Sequence, residues 1–302
     1  MSETEQQRAD CAPPISIEPG ISGTAEPTDD AEAARVRKAI RSELAKDARV
    51  EPVRPADRGP PVITLEHVSL SFDQPILEDI SLGVCKGDTV VIVGESGAGK
   101  STILRLILRL LMPDSGKVIV NGKDIAGLSF EDALAERRHM GMVFQSAALF
   151  DSLTVYENVA YPLREHTHMG EDEIEATVRK KLEIVDLDPD RVMQRLPAEL
   201  SGGMRKRVGI ARGLANDPDI MLYDEPTSGL DPMTTARITR LIMKLERDLG
   251  VTSVVVSHDI RAANRMASAI AVLANQRIVF FGTPEEMAAS DDPYIQDFLG
   301  GL

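Results

Sequence analysis

Residues 89–101 read Thr-Val-Val-Ile-Val-Gly-Glu-Ser-Gly-Ala-Gly-Lys-Ser, and this stretch decides the fold. The run 89–93 is typical of a buried strand in a parallel sheet. Residues 94–101, called the phosphate loop below, match the pattern G-x-x-x-x-G-K-[ST], and a helical pattern follows from near Thr102. A strand, this loop and a helix in that order are the context that the pattern requires. The stretch therefore predicts a phosphate-binding site in an α/β protein.

The chemistry of the phosphate loop suits a chain of phosphates. Its glycines let the backbone curl so that several N–H groups point inward, and the following helix adds partial positive charge. Lys100 supplies a full positive charge at the β- and γ-phosphates, and the Ser101 hydroxyl is placed to bind Mg²⁺. The predicted nucleotide-binding residues here are Gly94, Glu95, Ser96, Gly97, Ala98, Gly99, Lys100, Ser101 and Thr102.

A second apolar strand, predicted over residues 220–223, is followed directly by Asp224 and Glu225. Ligands of open α/β sheets bind at the carboxyl ends of the strands. We therefore expect Asp224 in the metal shell, and Glu225 as a general base or as the residue that orients the attacking water. A solvent-facing acidic pair at a strand end is the alternative interpretation.

Elsewhere, strand patterns alternate with helix patterns, which predicts an α/β core with a parallel sheet. The further predicted strands are 62–65, 69–72, 117–120 and 251–257, and the predicted helices are 171–186, 204–216 and 234–249. The helical stretch from about 146 to 217 interrupts the alternation, so we expect it to form a helical subdomain.

The first 61 residues differ from the rest, since they contain eight of the 18 prolines and no aromatic residue. This composition predicts a disordered N-terminal extension over 1–61, with a short helix over 31–50. That helix is either transient or a docking element for a partner or for acidic lipid.

The net charge of the chain excludes one class of function. It is −14, with an isoelectric point near 4.9, whereas binding to nucleic acid depends on Lys and Arg that displace counterions from phosphates. We therefore expect no nucleic-acid partner. No run approaches about 18 apolar residues, so we also expect no membrane-spanning helix.

Residues 200–204, Leu-Ser-Gly-Gly-Met, form what we call the signature segment, and a helix pattern follows it. A Ser-Gly-Gly sequence before a helix offers free N–H groups and the helix dipole to an anion. Two such helix starts could serve one nucleotide if two copies of the chain faced each other. An ordinary helix cap after a flexible turn is the alternative for this segment taken alone.

Taken together and in order, these motifs resemble those of the ATP-binding subunits of ABC transporters. The resemblance covers about residues 62–300 and rests on the phosphate loop, Gln145, the signature segment, Asp224-Glu225, residues 228–231 and His258. It implies a P-loop ABC nucleotide-binding domain at 62–290, with a parallel-sheet core, an antiparallel β subdomain and the helical subdomain, followed by a C-terminal tail at 291–302. It also implies ATP and Mg²⁺ as cofactors, ATP hydrolysis and a homodimer.

The resemblance further implies a role for each matching residue. Phe72 would stack on adenine, although a core position in a strand is the alternative for it. Gln145 would touch Mg²⁺ or the attacking water, His258 would contact the γ-phosphate, and Asp231 would lie at the dimer seam. The implied catalytic residues are Glu225, His258, Gln145 and Lys100; the implied metal-binding residues are Ser101, Gln145 and Asp224; the further nucleotide-binding residues are Phe72, Ser201, Gly202, Gly203 and Asp231.

Met204 and the segment 145–167 indicate which group of ABC transporter ATP-binding subunits the chain resembles. Most of the superfamily has Gln where Met204 stands, and Met donates no strong hydrogen bond. With residues 292–301, these features resemble the Mce-associated phospholipid-transport ATPases of Gram-negative bacteria. The resemblance implies a peripheral subunit on the cytoplasmic face of the inner membrane, which powers phospholipid transport between the two membranes through a membrane permease. It also implies a Mce-type lipid-binding protein and a STAS-type small subunit. An importer ATPase for another small substrate, such as an amino acid, is the alternative.

Apolar residues at 147–150 and 155–161 predict either ordinary core or a groove that receives a short helix of a membrane subunit. On the groove hypothesis, a charge placed at Leu149 would uncouple ATP hydrolysis from that subunit.

Overall fold

The computed structural model describes residues 61–300, which form two β-sheets and ten α-helices. The strands are β1 Pro61–Ser71, β2 Pro75–Cys85, β3 Thr89–Gly94, β4 Ser115–Val120, β5 Lys123–Asp124, β6 Met140–Val143, β7 Ile220–Asp224, β8 Thr252–Ser257, β9 Ala269–Ala274 and β10 Arg277–Gly282. The helices are α1 Lys100–Ile107, α2 Phe130–Arg137, α3 Val155–His166, α4 Glu171–Ile184, α5 Pro189–Val192, α6 Gly202–Gly213, α7 Pro232–Leu249, α8 Ile260–Met266, α9 Pro284–Ala289 and α10 Pro293–Gly300. The predicted N-terminal extension and its helix over 31–50 lie outside the described residues, apart from Pro61.

The larger sheet has six strands in the order β10-β9-β3-β8-β7-β6. The five strands from β9 to β6 are parallel, and β10 pairs with β9 in the antiparallel sense. Every residue of β3, β8 and β9 is buried, as expected for strands covered on both faces. The predicted parallel-sheet core is confirmed, and it brings the carboxyl ends of β3, β7 and β8 to one edge.

The smaller sheet is antiparallel, in the order β2-β1-β4-β5. The sequence pattern predicts two short strands, 62–65 and 69–72, where the structure has the single strand β1, and it does not predict β2. The reason is a pair of irregularities, at His67 with φ 50° and at Asp79 with φ 55°. Each shifts the phase of the buried positions, so the period-2 alternation breaks although the strand continues.

Helices α3 to α6 lie within the stretch predicted as the helical subdomain. Their shared core contains Val159, Leu163, Val178 and Leu182, all fully buried. Helix α6 begins at Gly202 rather than at the predicted 204, because the Ser201 hydroxyl accepts a hydrogen bond from the Met204 N–H and caps it. Since α6 also packs against β6, it connects the helical subdomain to the parallel sheet.

The C-terminal segment, predicted as a tail over 291–302, contains the helix α10. Ile295 and Leu299 are one helical turn apart, and both are buried in the same apolar cluster as α6 and α7. This segment is therefore packed against the domain as far as Leu299. Within residues 61–300, no helix combines the length and the apolarity needed to cross a bilayer.

Candidate nucleotide-binding site

The phosphate loop runs from the end of β3 to the start of α1 and is held close to two neighbouring strands. A Cβ at Gly94 would lie 2.2 Å from the Leu273 carbonyl oxygen, and one at Gly99 would lie 3.0 Å from that of Ile76. Gly99 also caps α1 with a φ of 99°, a conformation that favours glycine. The loop conformation therefore requires these glycines, and it directs the N-terminus of α1 toward the sheet edge.

Lys100 folds back over the loop that precedes it. Its Nζ donates hydrogen bonds of 2.8 Å to the carbonyl oxygens of Gly94 and Glu95, and the side chain is buried. Burial lowers the pKa of Lys100, and the nearby carboxylates of Glu225 and Asp224 oppose that shift. The same carboxylates place Lys100 beside the end of β7, so one cation and two anions share the sheet edge.

Ser101 and Asp224 meet directly. The Ser101 Oγ donates a hydrogen bond of 2.7 Å to Asp224 Oδ1, although 123 positions separate the two residues in the chain. A hydroxyl and a carboxylate are hard oxygen ligands of the kind that Mg²⁺ prefers. The donor set therefore fits a Mg²⁺ ion beside the phosphate loop.

Gln145, the third predicted metal-binding residue, has no described side-chain hydrogen bond to Ser101 or Asp224. Its Nε2 donates a hydrogen bond of 3.3 Å to Ser228 Oγ, in the turn that follows Glu225. The structure thus places Gln145 near the chain segment of Asp224 and Glu225, but not on the Ser101–Asp224 pair.

Glu225 and His258 form a second polar pair at the same edge. His258 Nδ1 lies 2.7 Å from Glu225 Oε2. An ionised carboxylate only accepts, so the imidazole donates this bond. The Glu225 side chain is 12% exposed and that of His258 is 59% exposed. Glu225 has a φ of 50°, and its N–H donates to the Val256 carbonyl of β8 at 2.9 Å. The pair offers a positioned base, with His258 on its solvent side.

Lys206, on α6, is a site residue that sequence reasoning missed. Its Nζ donates to the backbone carbonyls of Gln145 and, at 3.1 Å, of Glu225. Burial lowers its pKa, and Glu225 and Asp224 oppose the shift. The helical period could have predicted its burial, because Lys206 lies three residues after Gly203 and four before Ile210, and both are buried.

The signature segment contacts the start of α7 rather than the phosphate loop of its own chain. A Cβ at Gly203 would lie 2.4 Å from Thr234 Cγ2. Asp231 caps α7 by accepting hydrogen bonds from the N–H groups of Met233 and Thr234, each at 3.0 Å, and from Thr234 Oγ1 at 2.6 Å. The bonds from Thr234 lower the pKa of Asp231. The Met204 side chain packs against the apolar cluster, which suits an apolar residue there.

Phe72 lies at the turn between β1 and β2, immediately after β1. It is 63% exposed, so it is not the core strand residue that the alternative interpretation required. Its N–H donates to the Gln74 carbonyl at 3.1 Å, and Ile76 at the end of this turn contacts the backbone at Gly99. The Phe72 ring is therefore exposed, in a turn that leads into the strand segment beside the phosphate loop.

Comparison with known proteins gives one family and a consistent set of relatives. The family described as "ABC transporter" matches residues 77–228. The intermembrane phospholipid transport system ATP-binding protein MlaF of Haemophilus influenzae is 42% identical over 240 residues, which are 78% of this chain and 90% of that protein. MlaF of Escherichia coli K12 is 42% identical over 75% of this chain and 84% of its own length. The probable ribonucleotide transport ATP-binding protein mkl of Mycobacterium tuberculosis is also 42% identical, but this chain spans only 62% of it.

Solved structures give the same fold. The dimeric ATP-binding cassette MJ0796, in a post-hydrolysis state bound to ADP and Pi, is 33% identical with a TM-score of 0.68. The match covers 74% of this chain and 98% of that one. The cbiO1 protein of Clostridium perfringens, part of the transporter complex cbiONQ, is 27% identical with a TM-score of 0.70 over 79% of this chain and 98% of its own.

Proposed function

Because the chain belongs to the ABC transporter family of ATP-binding proteins, we propose that it is the ATP-hydrolysing subunit of a phospholipid transporter. The transporter would move phospholipid between the inner and outer membranes through a membrane permease. The observation that carries this proposal is the 42% identity to an intermembrane phospholipid transport ATP-binding protein over 90% of that protein's length.

The site geometry supports a division of roles for ATP hydrolysis. The phosphate loop and Lys100 hold the phosphates, and the exposed face of Phe72 stacks on the adenine. Ser101 and Asp224 would hold Mg²⁺, which would supply positive charge to the phosphates, and Gln145, bonded to Ser228 in the adjacent segment, would approach this centre only once the nucleotide is bound. Glu225 accepts a proton from the attacking water, and His258 orients the Glu225 carboxylate and contacts the γ-phosphate. Catalysis is then mainly positioning and charge stabilisation.

A second copy of the chain completes the site in this proposal. The helix start at Ser201, Gly202 and Gly203 has the N–H groups and the dipole to bind an anion, yet in its own chain it lies beside α7. Asp231 caps α7 at Thr234, the residue that lies against Gly203, and in this proposal it lies at the dimer seam. Two chains facing each other head to tail would place each signature segment on the partner's nucleotide, and the related cassette MJ0796 is dimeric.

A groove between the parallel sheet and the helical subdomain is the docking site that we assign to the permease. Its volume is about 370 Å³. Its apolar side chains include Phe144, Phe150 and Tyr161, and the rings of the last two lie 5.2 Å apart. Basic side chains also line it: Arg137, Arg138, His166 and Arg212. This chemistry fits a short permease helix that carries an apolar residue and an acidic one. Through that contact the subunit would lie peripherally on the cytoplasmic face of the inner membrane.

The lining of the groove changes which residue should be substituted to test the docking. Leu149 packs against the main apolar cluster, whereas its neighbour Phe150 lines the groove and is 45% exposed. Leu149 is partly buried and is not among the residues that line the groove, so a charge there would perturb packing as well as any docking, and Phe150 gives the cleaner test.

A Phe150→Glu substitution is therefore expected to lower permease-stimulated ATP hydrolysis at least about tenfold, a loss of roughly 1.4 kcal/mol of docking energy. The added carboxylate competes for the basic side chains that line the groove, and the aromatic contact is lost. Binding of ATP should not change, because Phe150 lies outside the phosphate loop. The measurement is ATPase activity of the reconstituted transporter. The control is Met169→Glu, which puts the same charge on an exposed side chain outside the groove; equal coupling in both variants would contradict the assignment.

The transported substrate needs a direct test, since the mycobacterial relatives of equal identity are named for ribonucleotides. We expect the complex purified from native membrane to contain phospholipid, a permease, a Mce-type protein and a STAS-type small subunit, identified by mass spectrometry. Its ATPase activity should respond to phospholipid vesicles and not to added ribonucleotides or amino acids. Stimulation by a small solute with no bound lipid would favour the importer alternative.

A further inference from the structure

The buried ammonium of Lys206 joins three parts of the site that are distant in sequence. Its side chain belongs to α6, five residues after Ser201, and its Nζ contacts the backbone carbonyls of Gln145 and Glu225. Only 6% of the residue is exposed. Thus one side chain connects the helix of the signature segment, the segment of Gln145 and the proposed general base.

Burying a lysine side chain at this position carries a free-energy penalty. Taking an ammonium out of water is unfavourable, and an apolar residue of similar length would avoid that penalty. The neighbouring α6 residues Val208, Ile210 and Ala211 are fully buried and apolar, so Lys206 is a buried charge on an otherwise largely apolar helix. What Lys206 adds is a donor that reaches two carbonyls at once.

A donor to the Glu225 carbonyl matters because it helps to fix the backbone conformation of Glu225. Glu225 adopts a φ of 50°, a left-handed conformation that persists in non-glycine residues only where the surroundings hold it. Its N–H donates to the Val256 carbonyl of β8, and its carbonyl accepts from Lys206 Nζ at 3.1 Å and from the Ser228 N–H at 3.2 Å. The Ser228 bond is local to the turn, whereas the Val256 and Lys206 bonds tie the two peptide planes around Glu225 to β8 and to α6, and so they help to fix the direction from which its carboxylate reaches His258.

We propose that Lys206 is a positioning residue, which ties the signature helix α6 to the carbonyls of Glu225 and Gln145 so that the catalytic carboxylate is aligned only when α6 is in place. The inference rests on the proposed function, because it assumes that Glu225 is the base and that the start of α6 meets a second copy's nucleotide. A helix moves as a rigid element, so a shift of α6 on dimer closure moves Nζ and, through it, both carbonyls. Lys206 touches no reacting atom itself.

The test compares Lys206→Met with Lys206→Arg in the assembled transporter. Misplacing a catalytic group by about 1 Å can lower the rate about 10²-fold. We therefore expect Lys206→Met to lower kcat about 10²-fold and to change KM for ATP less than about threefold. Because the variant also leaves the Gln145 and Glu225 carbonyls without this donor, kcat is measured well below the Tm, which is determined in parallel. Lys206→Arg keeps a charged donor and should recover part of the rate. Lys180→Met, at an exposed position of α4, is the matched control and should leave kcat unchanged.

Several outcomes would overturn the proposal. One is an unchanged kcat in Lys206→Met. Another is a loss of rate that only follows a lower Tm, with no recovery in Lys206→Arg, since a purely structural tie predicts that result. If Lys206→Met does not fold, Lys206→Gln replaces it, because its amide is too short to bridge both carbonyls; kcat per site that binds ATP is then the deciding value.

A parallel Glu225→Gln variant separates this proposal from the proposed function. If Glu225→Gln retains turnover, the base role fails and the premise is lost. If Glu225→Gln loses turnover while Lys206→Met keeps it, only the positioning role of Lys206 fails.

Discussion

A Glu225→Gln variant is expected to bind ATP normally and to turn it over about 10³-fold more slowly, within the range that general-base catalysis supplies. Gln has nearly the same shape, and its carbonyl can still accept the bond from His258 Nδ1, which is 2.7 Å long in the wild type. The amide cannot take a proton from water, so only the chemical step is lost. Because hydrolysis would end the closed state, the ATP-bound variant should also accumulate as a dimer.

Two measurements check this result: steady-state phosphate release, and size-exclusion chromatography with and without ATP. The matched control is Glu183→Gln at an exposed position of α4, which makes the same chemical change away from the site. Turnover of the Glu225→Gln variant within tenfold of the wild type would remove Glu225 from the base role. A loss of ATP binding would instead mean that Glu225 serves the shape of the site.

A Lys100→Ala variant is expected to lose ATP affinity about 10²-fold. A hydrogen bond to a charged group contributes about 1.5–3 kcal/mol, so two bonds from an ammonium to phosphates account for this loss. Lys100 is placed for that contact, since it lies buried at the start of α1 and already bonds to the Gly94 and Glu95 carbonyls. The net charge of −14 makes the local cation more important, because the chain as a whole repels ATP.

Equilibrium binding of a fluorescent ATP analogue at constant ionic strength measures the effect. Lys86→Ala, at the exposed turn between β2 and β3, removes the same charge nearby and should bind like the wild type. Equal weakening in both variants would mean that general charge, and not the loop contact, holds the nucleotide. Circular dichroism should show an intact fold, since the variant removes two hydrogen bonds to the loop and the attraction to nearby carboxylates but no part of the apolar core. Together with Glu225→Gln, this variant separates binding from chemistry.

Local patterns predicted much of the fold because the information they need is contiguous. The strand β3, the phosphate loop and the start of α1 follow one another in the chain, so their residue types alone predict a phosphate-binding unit. Asp224 and Glu225 were found for the same reason, since they directly follow the apolar run of β7. The rule that ligands bind at the carboxyl ends of parallel strands then predicts that these residues share an edge with His258. The structure places them so.

Other features escaped the sequence because they depend on contacts between distant segments. The bulges at His67 and Asp79 in β1 and β2 break the alternation, and only pairing across the antiparallel sheet shows that each strand continues. The neighbours Leu149 and Phe150 are both large and apolar, so their sequence cannot tell which one lines the groove. Tertiary packing separates them, since Leu149 is partly buried against the apolar cluster and Phe150 lines the groove.

The residue types along the chain were thus sufficient for the class of chemistry, because phosphate binding requires glycines, a lysine and a hydroxyl in a fixed local order. They were not sufficient to predict which residues of the site are hydrogen-bonded to one another. The bonds of Ser101 to Asp224 and of Lys206 to Gln145 and Glu225 span 123, 61 and 19 positions. Such bonds form only after the sheet and α6 have packed, since the penalty for burying an unpaired polar group then selects its partner. Tertiary structure therefore decided which groups are hydrogen-bonded to one another. Those bonds in turn set the orientation of the proposed base, Glu225.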